Sequence, residues 1–470
     1  MKICLVTPPS PFLLDQRVFP SLGILKIGAV LEQAGYQVDH LDLTGVSNYE
    51  EAAKDYNGGA TVFAVTTTTP QMPYALRLSK ILQGKTILGG PHPTLIHAAA
   101  KRGNQRARTA LEQLLKEFDC VVAGDGEKAI FTALLAIGLV DADDPKSILW
   151  QSSKNFTDSP WPARHLLDFN SYHYAVEGKR ATSLIAQLGC PFSCFFCGGR
   201  NSPMLRQIRS RTSDSIIAEM EYIHSTFGID ACMFYDDELN VNKGLIELLK
   251  KIKETGIDWR LRGFVKSELF TEEQAEALYA AGFRWLLCGF ESGDEKILRN
   301  IHKRATREDN TKMLRTAHKY GLKVKALMSV GHPGESEETI LATRNWLIEE
   351  QPDDFDLTVI TVYPGTPYYD ESICIGEPIY RFETNGDALY SESVDFTKES
   401  QYYKGCPGEY KAYVWTDYIS REHIVKMRDQ VEDQVRTVLG IPYPTSADAI
   451  AFEHSMGQNL PANILRSSIK

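Results

Sequence analysis

Long apolar runs are missing from this sequence of 470 residues. No stretch reaches the roughly 18 consecutive apolar residues that a membrane-spanning helix needs. The first ten residues, MKICLVTPPS, also lack the basic region and the following apolar stretch of a secretory signal. We therefore expect no transmembrane segment and a cytoplasmic location.

Positive charge is also in short supply. The chain has 51 lysines and arginines against 61 aspartates and glutamates, a formal net charge of −10, and its basic residues are scattered. A protein that binds the nucleic-acid backbone would show a basic patch, so we expect no nucleic-acid partner. With 43% hydrophobic and 24% charged residues, the composition is that of an ordinary globular protein with room for two or three domains.

Cysteine is scarce, but it is unevenly distributed. Three of the nine cysteines lie within eight positions, at Cys190, Cys194 and Cys197. In a reducing compartment cysteines are mostly free thiols, so this cluster favours metal ligation or catalysis over disulfides. The other six are dispersed, and we expect structural roles for them, including Cys374 and Cys406.

The first 140 residues alternate short apolar strands with amphipathic helices. This alternation predicts a parallel sheet with helices on both faces, that is, an α/β domain of the doubly wound, Rossmann-like kind. The predicted strands are 2–7, 37–43, 61–66, 85–90 and 120–124, and the predicted helices are 22–35, 49–56, 73–82, 107–117 and 127–137.

After this block, residues 141–180 are rich in Asp, Ser and Pro, and we interpret them as a linker. Residues 181–370 resume the alternation with six β/α units, which predicts a partial (β/α)6 TIM barrel. Residues 371–470 are a less regular C-terminal extension with one predicted helix at 420–438. The barrel strands are predicted at 182–189, 231–237, 259–265, 284–292, 323–331 and 356–365, and its helices at 213–226, 243–254, 272–281, 307–320 and 336–350.

Each predicted barrel strand ends in polar or glycine-rich residues. In parallel β/α folds the carboxyl ends of the strands form the edge at which ligands bind. The cysteine cluster follows the first of these strands, in the segment GCPFSCFFCGG at 189–199. We therefore expect an active site at this edge.

The three cysteines are one ligand short of a closed metal site. Gly189 and Pro191 exclude a helix, so the thiols lie on a loop that can surround a metal centre. Four ligands complete a structural zinc site or an ordinary cubane cluster, and the next histidine, His224, is far downstream. A zinc site, three structural cysteines, and an iron–sulfur cluster with one open iron all remain as interpretations.

The segment CPFSCFFC has the C-x3-C-x2-C spacing, with the aromatic Phe196 directly before the last cysteine. In this spacing, and in its position after the first strand of a six-unit partial barrel, it resembles the radical S-adenosylmethionine superfamily. The resemblance implies that Cys190, Cys194 and Cys197 hold a [4Fe–4S] cluster. It also implies that the open iron binds S-adenosylmethionine, which is cleaved reductively to a 5′-deoxyadenosyl radical.

The same resemblance implies positions for S-adenosylmethionine. Asp236, Asp237 and Glu238 follow the second strand, where the superfamily binds the methionine ammonium group; an acidic cluster at a helix N-terminus is the alternative. Glu291 and Ser292, in GFESG, resemble the residues that contact the ribose and carboxylate. Gly331 and Tyr363 lie in turns that resemble those around adenine, although their Gly and Pro neighbours are also ordinary turn formers.

Motifs of the first block resemble the cobalamin-binding domain that precedes the barrel in one large subfamily. They are GGPHPT, with Gly89, Gly90, Pro91 and His92; VAGDGEKAI, with Gly124, Gly126 and Glu127; and the threonine run that begins at Thr66. Asp125 departs from the usual Gly-Glu-Gly-Glu form of the second motif. No G-x-G-x-x-G follows the first strand, which disfavours a dinucleotide site.

The resemblance also bears on how cobalamin would be held. Proteins that replace the lower axial base by a histidine use Asp-x-His-x-x-Gly, and this sequence contains no such motif. The nearest segment, DHLDLTG at 39–45, has the wrong spacing. Cobalamin is therefore expected to bind base-off without a histidine ligand.

The function expected from these motifs is a radical enzyme that uses cobalamin to methylate an unactivated carbon of a small-molecule substrate. An electron donor such as flavodoxin or ferredoxin is the implied partner. Cyclisation, ring contraction or C–C coupling is an alternative, as is a non-enzymatic scaffold or sensor. A methylthiotransferase is disfavoured because the first block has only Cys4 and Cys120 as candidate cluster ligands.

Overall fold

The computed structural model describes residues 1–10, 16–400, 402, 411–443 and 465–468. Two parallel sheets dominate these residues, one in each half of the chain. No helix among the described residues is both long and apolar enough to cross a bilayer.

The first sheet has six parallel strands in the spatial order β2-β1-β3-β4-β5-β6, with helices between them. The reversal of direction at β1 is the arrangement of a doubly wound fold, so the predicted Rossmann-like architecture is confirmed. Its elements are β1 (Lys2–Thr7), α1 (Leu22–Gln33), β2 (Gln37–Asp42), α2 (Tyr49–Lys54), β3 (Val62–Thr66), α3 (Met72–Ser79), β4 (Lys85–Gly89), α4 (Pro91–Lys101), α5 (Gln105–Glu117), β5 (Cys120–Gly124), α6 (Gly126–Ala133) and β6 (Gly138–Ala142).

Two elements of this half were not predicted. Helix α4 begins at Pro91, inside the GGPHPT motif, because proline suits the first turn of a helix and the following LIHAAAK continues it. Strand β6 pairs with β5 over Cys120–Gly124 and ends at Ala142, just past the predicted domain boundary at 140. The domain limits themselves stay a prediction.

The second sheet is an open half-barrel. Six parallel strands run in the order β8-β11-β12-β13-β14-β15, and the short β7 adds antiparallel to β8. The predicted partial barrel is confirmed. Its elements, with those leading into it, are α7 (Ser153–Asp158), β7 (Ala175–Val176), β8 (Lys179–Leu184), β9 (Gln187–Leu188), α8 (Pro203–Arg206), β10 (Arg209–Ser210), α9 (Ser213–Phe227), β11 (Ala231–Phe234), α10 (Leu245–Glu254), β12 (Arg260–Phe264), α11 (Glu272–Ala280), β13 (Phe283–Glu291), α12 (Glu295–Asn300), α13 (Arg307–Lys319), β14 (Lys323–Val330), α14 (Glu337–Glu350) and β15 (Asp354–Val359).

The two faces of the half-barrel carry different side chains. Alternate strand residues, such as Phe234, Leu286 and Val324, point outward into the core formed with the helices. The intervening residues line the concave face, where Met233 and Leu287 pack against Tyr174 of the linker. The strands therefore deliver the residues after their carboxyl ends to one shared mouth.

The C-terminal extension packs against the last strands of the half-barrel. It contains α15 (Pro367–Asp370), β16 (Ile373–Gly376), β17 (Ile379–Thr384), β18 (Asp387–Glu392), β19 (Val414–Trp415), α16 (Arg421–Leu439) and β20 (Leu465–Ser467), the last pairing antiparallel with β2. The predicted helix at 420–438 corresponds to α16. Cys406 lies outside the described residues, and Cys374 is an exposed free thiol in β16.

Helix α16 covers the open edge of the half-barrel. Arg428 Nε donates to the carbonyl of Leu357 at 2.8 Å, and Arg436 Nη2 donates to that of Phe355 at 2.9 Å. Both carbonyls belong to β15, the edge strand, and Glu432 lies between the two arginines in ion pairs with both. Side chains thereby occupy hydrogen-bonding groups that another strand could otherwise use.

Candidate active site

The cysteine loop follows β9 and is held by backbone contacts. Gly189 has φ +88°, and a Cβ there would lie 2.1 Å from the carbonyl oxygen of Gln207, so the close approach requires glycine. The Cys190 amide then donates to the carbonyl of Leu205 at 3.0 Å. The sequence thus closes a tight loop around the three thiols, of which Cys194 is buried and the other two are half-buried.

Arg200, which was not predicted, braces this loop from inside. Arg200 is 6% exposed, and its guanidinium group donates to the carbonyls of Cys190 at 2.9 Å, Phe192 at 2.5 Å and Gly198 at 3.4 Å. These contacts fix the backbone on both sides of the cysteines. They also place a permanent positive charge at the thiols.

Two buried lysines border the other side of the loop. Lys303 forms an ion pair with Glu291 at 3.2 Å, and Lys266 donates to the carbonyl of Lys303 at 3.1 Å. Lys266 Nζ lies 4.3 Å from the centroid of the Phe192 ring. Burial alone would lower the pKa of Lys303, but Glu291 and Cys194 oppose it and hold that pKa well above its usual value.

The electrostatics fit a negatively charged metal cluster. Burial raises the pKa of the Cys190 thiol, and raises that of Cys197 to about 12, while Arg200 opposes both shifts. An iron–sulfur cluster with three thiolates carries net negative charge, which the nearby cations offset. Within the described part of the chain, no three His, Cys, Asp or Glu side chains are arranged to ligate a single metal ion.

The three acidic residues after β11 have different partners. Asp236 accepts hydrogen bonds from the amides of Ala186 at 2.8 Å and Gln187 at 3.1 Å, so its carboxylate already fixes the turn between β8 and β9. Asp237 is exposed, and desolvation by the surrounding residues raises the pKa of its carboxyl, although Arg200 opposes the shift. Only part of the acidic cluster is therefore available to a ligand.

Glu238 is the member of this cluster that fits a cationic ligand. Its Oε2 is buried and has no hydrogen-bond partner among the residues the structure describes. Burial raises the pKa of this carboxyl to about 7, against the opposing charges of Lys303 and Lys266. A buried acceptor without a partner is costly, and an ammonium group bound there would remove the cost.

Glu291 and Ser292 follow β13 but face different surroundings. Glu291, with φ +65°, sends one oxygen toward Lys303 and accepts a hydrogen bond from the Ser329 hydroxyl at 2.8 Å on the other. Ser292 is hydrogen-bonded to the Thr343 hydroxyl at 3.1 Å and accepts from the amide of Asp294 at 3.1 Å. Glu291 therefore lies at the mouth, whereas the side chain of Ser292 is engaged in packing α12 and α14.

His332 extends the network from Glu291 toward the end of the barrel. Its Nε2 is 2.8 Å from Ser329 Oγ and its Nδ1 is 3.2 Å from the Tyr368 hydroxyl. Burial lowers the pKa of His332 to about 3, so the ring is neutral, and it packs edge-on against Phe196 at 5.2 Å. This histidine directly follows Gly331 and was not among the predicted site residues.

Gly331 and Tyr363, both predicted near adenine, are at the ends of β14 and β15. The Gly331 amide donates to Glu335 Oε2 at 3.0 Å, so its turn is braced by a buried carboxyl group. The Tyr363 ring stacks on Phe396 with centroids 5.7 Å apart. His92 of the first sheet lies 6.3 Å from the same Phe396 ring, which connects the two sheet edges.

At the carboxyl edge of the first sheet, the glycines of the predicted cobalamin motifs have different roles. A Cβ built on Gly89 meets no atom within 4 Å, so the space above β4 is open there. A Cβ on Gly124 would lie 2.4 Å from the backbone of Ala142, and one on Gly126 would lie 2.6 Å from Ile27. Gly89 therefore leaves room for a ligand, whereas Gly124 and Gly126 make room for the protein's own chain.

Other motif residues at this edge are buried or half-buried. Gly90 has φ +103° and precedes α4, and the His92 amide donates to the carbonyl of Thr67 at 3.1 Å. The His92 Nδ1 is 3.1 Å from the Thr69 hydroxyl, and burial lowers its pKa to about 3. Thr66 ends β3 half-buried. This edge thus offers hydroxyls and neutral groups around the open position at Gly89.

Asp125 and Glu127, in the second motif, make ion pairs. Glu127 is 3.4 Å from Lys26 of α1, and Asp125 pairs with the buried Arg209 of β10. Arg209 lies beyond the cysteine loop, so Asp125 connects the first sheet to the half-barrel. Asp125, which replaces the first Glu of the usual Gly-Glu-Gly-Glu motif, is still acidic, and its carboxylate pairs with Arg209 where the two sheets meet.

The two sheet edges approach each other at the cysteine loop. Leu95 of α4 would be 3.9 Å from a Cβ at Gly198, the residue directly after Cys197. Asp143, just after β6, accepts from the Ser202 hydroxyl and from the Met204 amide, both at 2.8 Å. The open position after β4 and the thiols after β9 therefore belong to one region of the molecule.

These features define an α/β protein with a three-cysteine loop at the mouth of a six-stranded half-barrel. Residues 184–347, most of that half-barrel, match the family model described as the Radical SAM superfamily. The match identifies this half-barrel with its thiol loop as a radical SAM domain.

Curated relatives and solved structures extend the likeness beyond the half-barrel. An uncharacterized methyltransferase of Pyrococcus horikoshii is 27% identical over 79% of this chain and 83% of that protein. The anaerobic magnesium-protoporphyrin IX monomethyl ester cyclase of Cereibacter sphaeroides is 22% identical over 75% of this chain and 60% of its own. The radical S-adenosylmethionine methyltransferase TsrM of Kitasatospora setae, solved with cobalamin and a [4Fe–4S] cluster, superposes with a TM-score of 0.59 at 17% identity, covering 82% of this chain and 81% of that one.

Proposed function

We propose that this protein is a cobalamin-dependent radical S-adenosylmethionine enzyme that methylates an unactivated carbon of a small molecule. The observation that carries the proposal is the proximity of two sites. One is the thiol loop with Glu238, whose Oε2 has no hydrogen-bond partner among the described residues, and the other is the open position at Gly89. The relatives named as methyltransferases, and TsrM with its bound cobalamin, support it.

In this proposal Cys190, Cys194 and Cys197 hold a [4Fe–4S] cluster. When bound, the cluster supplies one electron for the reductive cleavage of S-adenosylmethionine. Arg200 holds the loop carbonyls and offsets the charge of the thiolates. Lys303 offsets further negative charge from within the mouth. The protein thereby stabilises the reduced, more negative state of the site.

Glu238 binds the ammonium group of S-adenosylmethionine in this proposal, and Asp237 lies beside it. Asp236 orients the backbone at residues 186–187, because its oxygens are already occupied there. Glu291 is placed to accept from a ribose hydroxyl, with Lys303 and Ser329 fixing its two oxygens. Gly331 and Tyr363 stay predictions for the adenine side, whereas Ser292 acts through helix packing.

Cobalamin is proposed to lie on the carboxyl edge of the first sheet. Gly89 leaves room for the flat corrin, and Thr66 with the neighbouring hydroxyls faces its amide groups. Gly90, Pro91 and His92 shape the start of α4 beside it, and Gly124, Gly126 and Glu127 shape the neighbouring turn. With no Asp-x-His-x-x-Gly in the sequence, we expect base-off binding without a histidine ligand.

An aromatic wall marks where the substrate would lie. Tyr235, directly before the acidic cluster, is 51% exposed although it belongs to the barrel mouth. Its ring lies 5.3 Å from Phe19 and 6.4 Å from Phe264, between centroids. Such rings exclude water and offer flat apolar contact, which suits an uncharged carbon as the reacting centre.

The test is anaerobic reconstitution with iron, sulfide and cobalamin, followed by incubation with dithionite and S-adenosylmethionine. We expect 5′-deoxyadenosine and S-adenosylhomocysteine, the first from radical initiation and the second from use of the methyl group. Formation of 5′-deoxyadenosine alone, also in the presence of candidate substrates, would favour the cyclase type of chemistry found in the Cereibacter relative. Formation of neither product would contradict an enzymatic role.

A further inference from the structure

Surface arginines beside the cysteine loop form a cationic patch on an otherwise acidic protein. We define this patch as Arg206, Arg299, His302 and Arg304. All three arginines are exposed, and His302 is half-buried. The whole chain carries a net charge of −10, so a group of cations without acidic partners stands out against the average surface.

The patch is tied directly to the loop that carries the cysteines. Arg206 Nη2 donates to the carbonyl of Pro191 at 3.0 Å, on one side of the loop. On the other side, the Phe195 amide donates to the carbonyl of Ile301 at 3.0 Å, and His302 Nδ1 lies 3.0 Å from the Ser193 hydroxyl. The exposed Pro191 lies between these contacts, one residue from Cys190.

The segment 302–304 turns its residues in opposite directions. His302 and Arg304 have φ of +57° and +68°, and Lys303 between them is 5% exposed and reaches Glu291 inside the mouth. Its neighbour Arg304 remains in solvent. One turn therefore supplies a cation to the buried site and another to the surface outside it.

The arginines of the patch have no acidic partner among the described residues. None of the three arginines forms an ion pair with a described residue. At the start of helix α12, Asp294 accepts from the amides of Lys296 and Ile297, and Glu295 accepts from the amide of Arg307, so neither acid pairs with an arginine of the patch. The patch is therefore available to a partner of opposite charge.

We infer that this patch is the docking surface for an acidic one-electron carrier protein of the flavodoxin or ferredoxin type. The inference rests on the proposed function, because it requires a reducible cluster on Cys190, Cys194 and Cys197. One electron leaves the carrier, which is oxidised, and enters the cluster, which is reduced; no covalent bond changes at the surface. Opposite charge speeds encounter and sets orientation, and Pro191 and Ser193 bring the carrier to the thinnest cover of the cluster.

The experiment compares two reductants with the same protein. Reconstituted enzyme converts S-adenosylmethionine to 5′-deoxyadenosine with either dithionite or reduced flavodoxin, and the rate is measured against flavodoxin concentration. The test variant combines Arg299→Glu and Arg304→Glu, and it keeps Arg206 because that side chain donates to the Pro191 carbonyl of the cysteine loop. The matched control combines Lys250→Glu and Lys253→Glu, which changes the net charge equally at exposed positions on α10.

We expect the test variant to need about tenfold or more flavodoxin for half-maximal rate, with the dithionite rate unchanged within about twofold. The effect in wild type should weaken as salt is raised, since exposed charges are screened. The docking surface would be overturned if the control variant lost as much flavodoxin-dependent rate as the test variant, or if the test variant behaved like wild type. It would also be overturned if the test variant lost as much rate with dithionite as with flavodoxin. Absence of 5′-deoxyadenosine from wild type with dithionite would instead overturn the proposed function.

Discussion

The carboxyl edges of the two parallel sheets differ in the side chains that they carry. The half-barrel edge gathers charges around the thiol loop: Arg200 and Lys303 are buried, and Glu238 and Glu291 are half-buried. The first sheet's edge gathers glycines, threonine hydroxyls and the neutral His92. The same β/α architecture thus presents a charge-balanced mouth in one half, and in the other an open position at Gly89 whose immediate neighbours are neutral. The difference follows from the few residues after each strand, and substitutions there should affect the two edges separately.

The largest effect is expected from the thiol loop. Changing Cys190, Cys194 and Cys197 together to Ala should reduce bound iron to background and abolish formation of 5′-deoxyadenosine, because no thiolate remains to hold the cluster. Cobalamin binding, which we propose for the other edge, should persist. Cys374→Ser is the control, since this exposed thiol lies in β16. Full iron content in the triple variant would refute the assignment.

The second-largest effects are expected at two glycines of the first sheet's edge, one on cobalamin affinity and the other on stability. Gly89→Val should lower cobalamin affinity about tenfold or more, because it fills the open space above β4, while the free energy of unfolding stays unchanged. Gly124→Ala should cost roughly 1–3 kcal/mol of stability, since φ is +98° and the Cβ meets the backbone of Ala142. Titration of cobalamin and chemical denaturation measure the two. A stable Gly89→Val variant with unchanged affinity would remove cobalamin from this position.

The third prediction concerns pH at the charged edge. Because burial raises the pKa of Glu238 to about 7, its carboxyl is largely protonated below that pH and ionised above it in the free protein. Affinity for S-adenosylmethionine should therefore rise between about pH 6 and pH 8. Glu238→Gln should lower affinity about ten- to a hundredfold at pH 8, the worth of a charge-assisted hydrogen bond.

That variant should also flatten the pH dependence, which calorimetry across the range would measure. The pKa values of the Asp236 and Glu335 carboxyls are also raised to about 7. A flatter pH profile of affinity in the Glu238→Gln variant is therefore needed to assign the pH dependence to Glu238. A pH profile identical to wild type would place the ammonium group elsewhere on the mouth.

The smallest effect is expected at Ser292. Its hydroxyl bonds to Thr343 and Asp294 within the protein, so Ser292→Ala should cost about 1 kcal/mol of stability and leave affinity for S-adenosylmethionine unchanged. Glu291→Ala, one residue earlier, should weaken that affinity without loss of iron. Equal losses of affinity in both variants would show that Ser292 contacts the ligand after all.

The sequence sufficed for the architecture because both halves follow simple periods. Strands β1 to β5 and the six parallel strands of the half-barrel were predicted from short apolar runs between amphipathic helices. β15 ends at Val359, short of the predicted 365, because Val359 pairs with Val330, the last residue of its neighbouring strand β14. Strand β6, GLVDA, was missed since its polar Asp141 and short length give little periodicity.

The site was predictable only in its motif residues. The cysteine spacing marked the loop, but nothing local to Arg200 or Lys303 reveals that they approach it, because those contacts depend on how distant turns pack. The three acids after β11 look equivalent in sequence, and the structure distinguishes them by their hydrogen-bond partners. His332 carried a weak signal, a histidine in a Gly-Pro turn at a strand end.

The arginines that cover β15 have a consequence for biosynthesis. The edge strand is complete at Val359, but Arg428 and Arg436 lie about seventy residues later, on α16. At roughly 5–20 residues per second, a ribosome needs several seconds to supply them. During that interval the nascent half-barrel presents an uncovered strand edge, and premature termination before α16 would make the exposure permanent. Aggregation of nascent and shortened chains should therefore begin at β15.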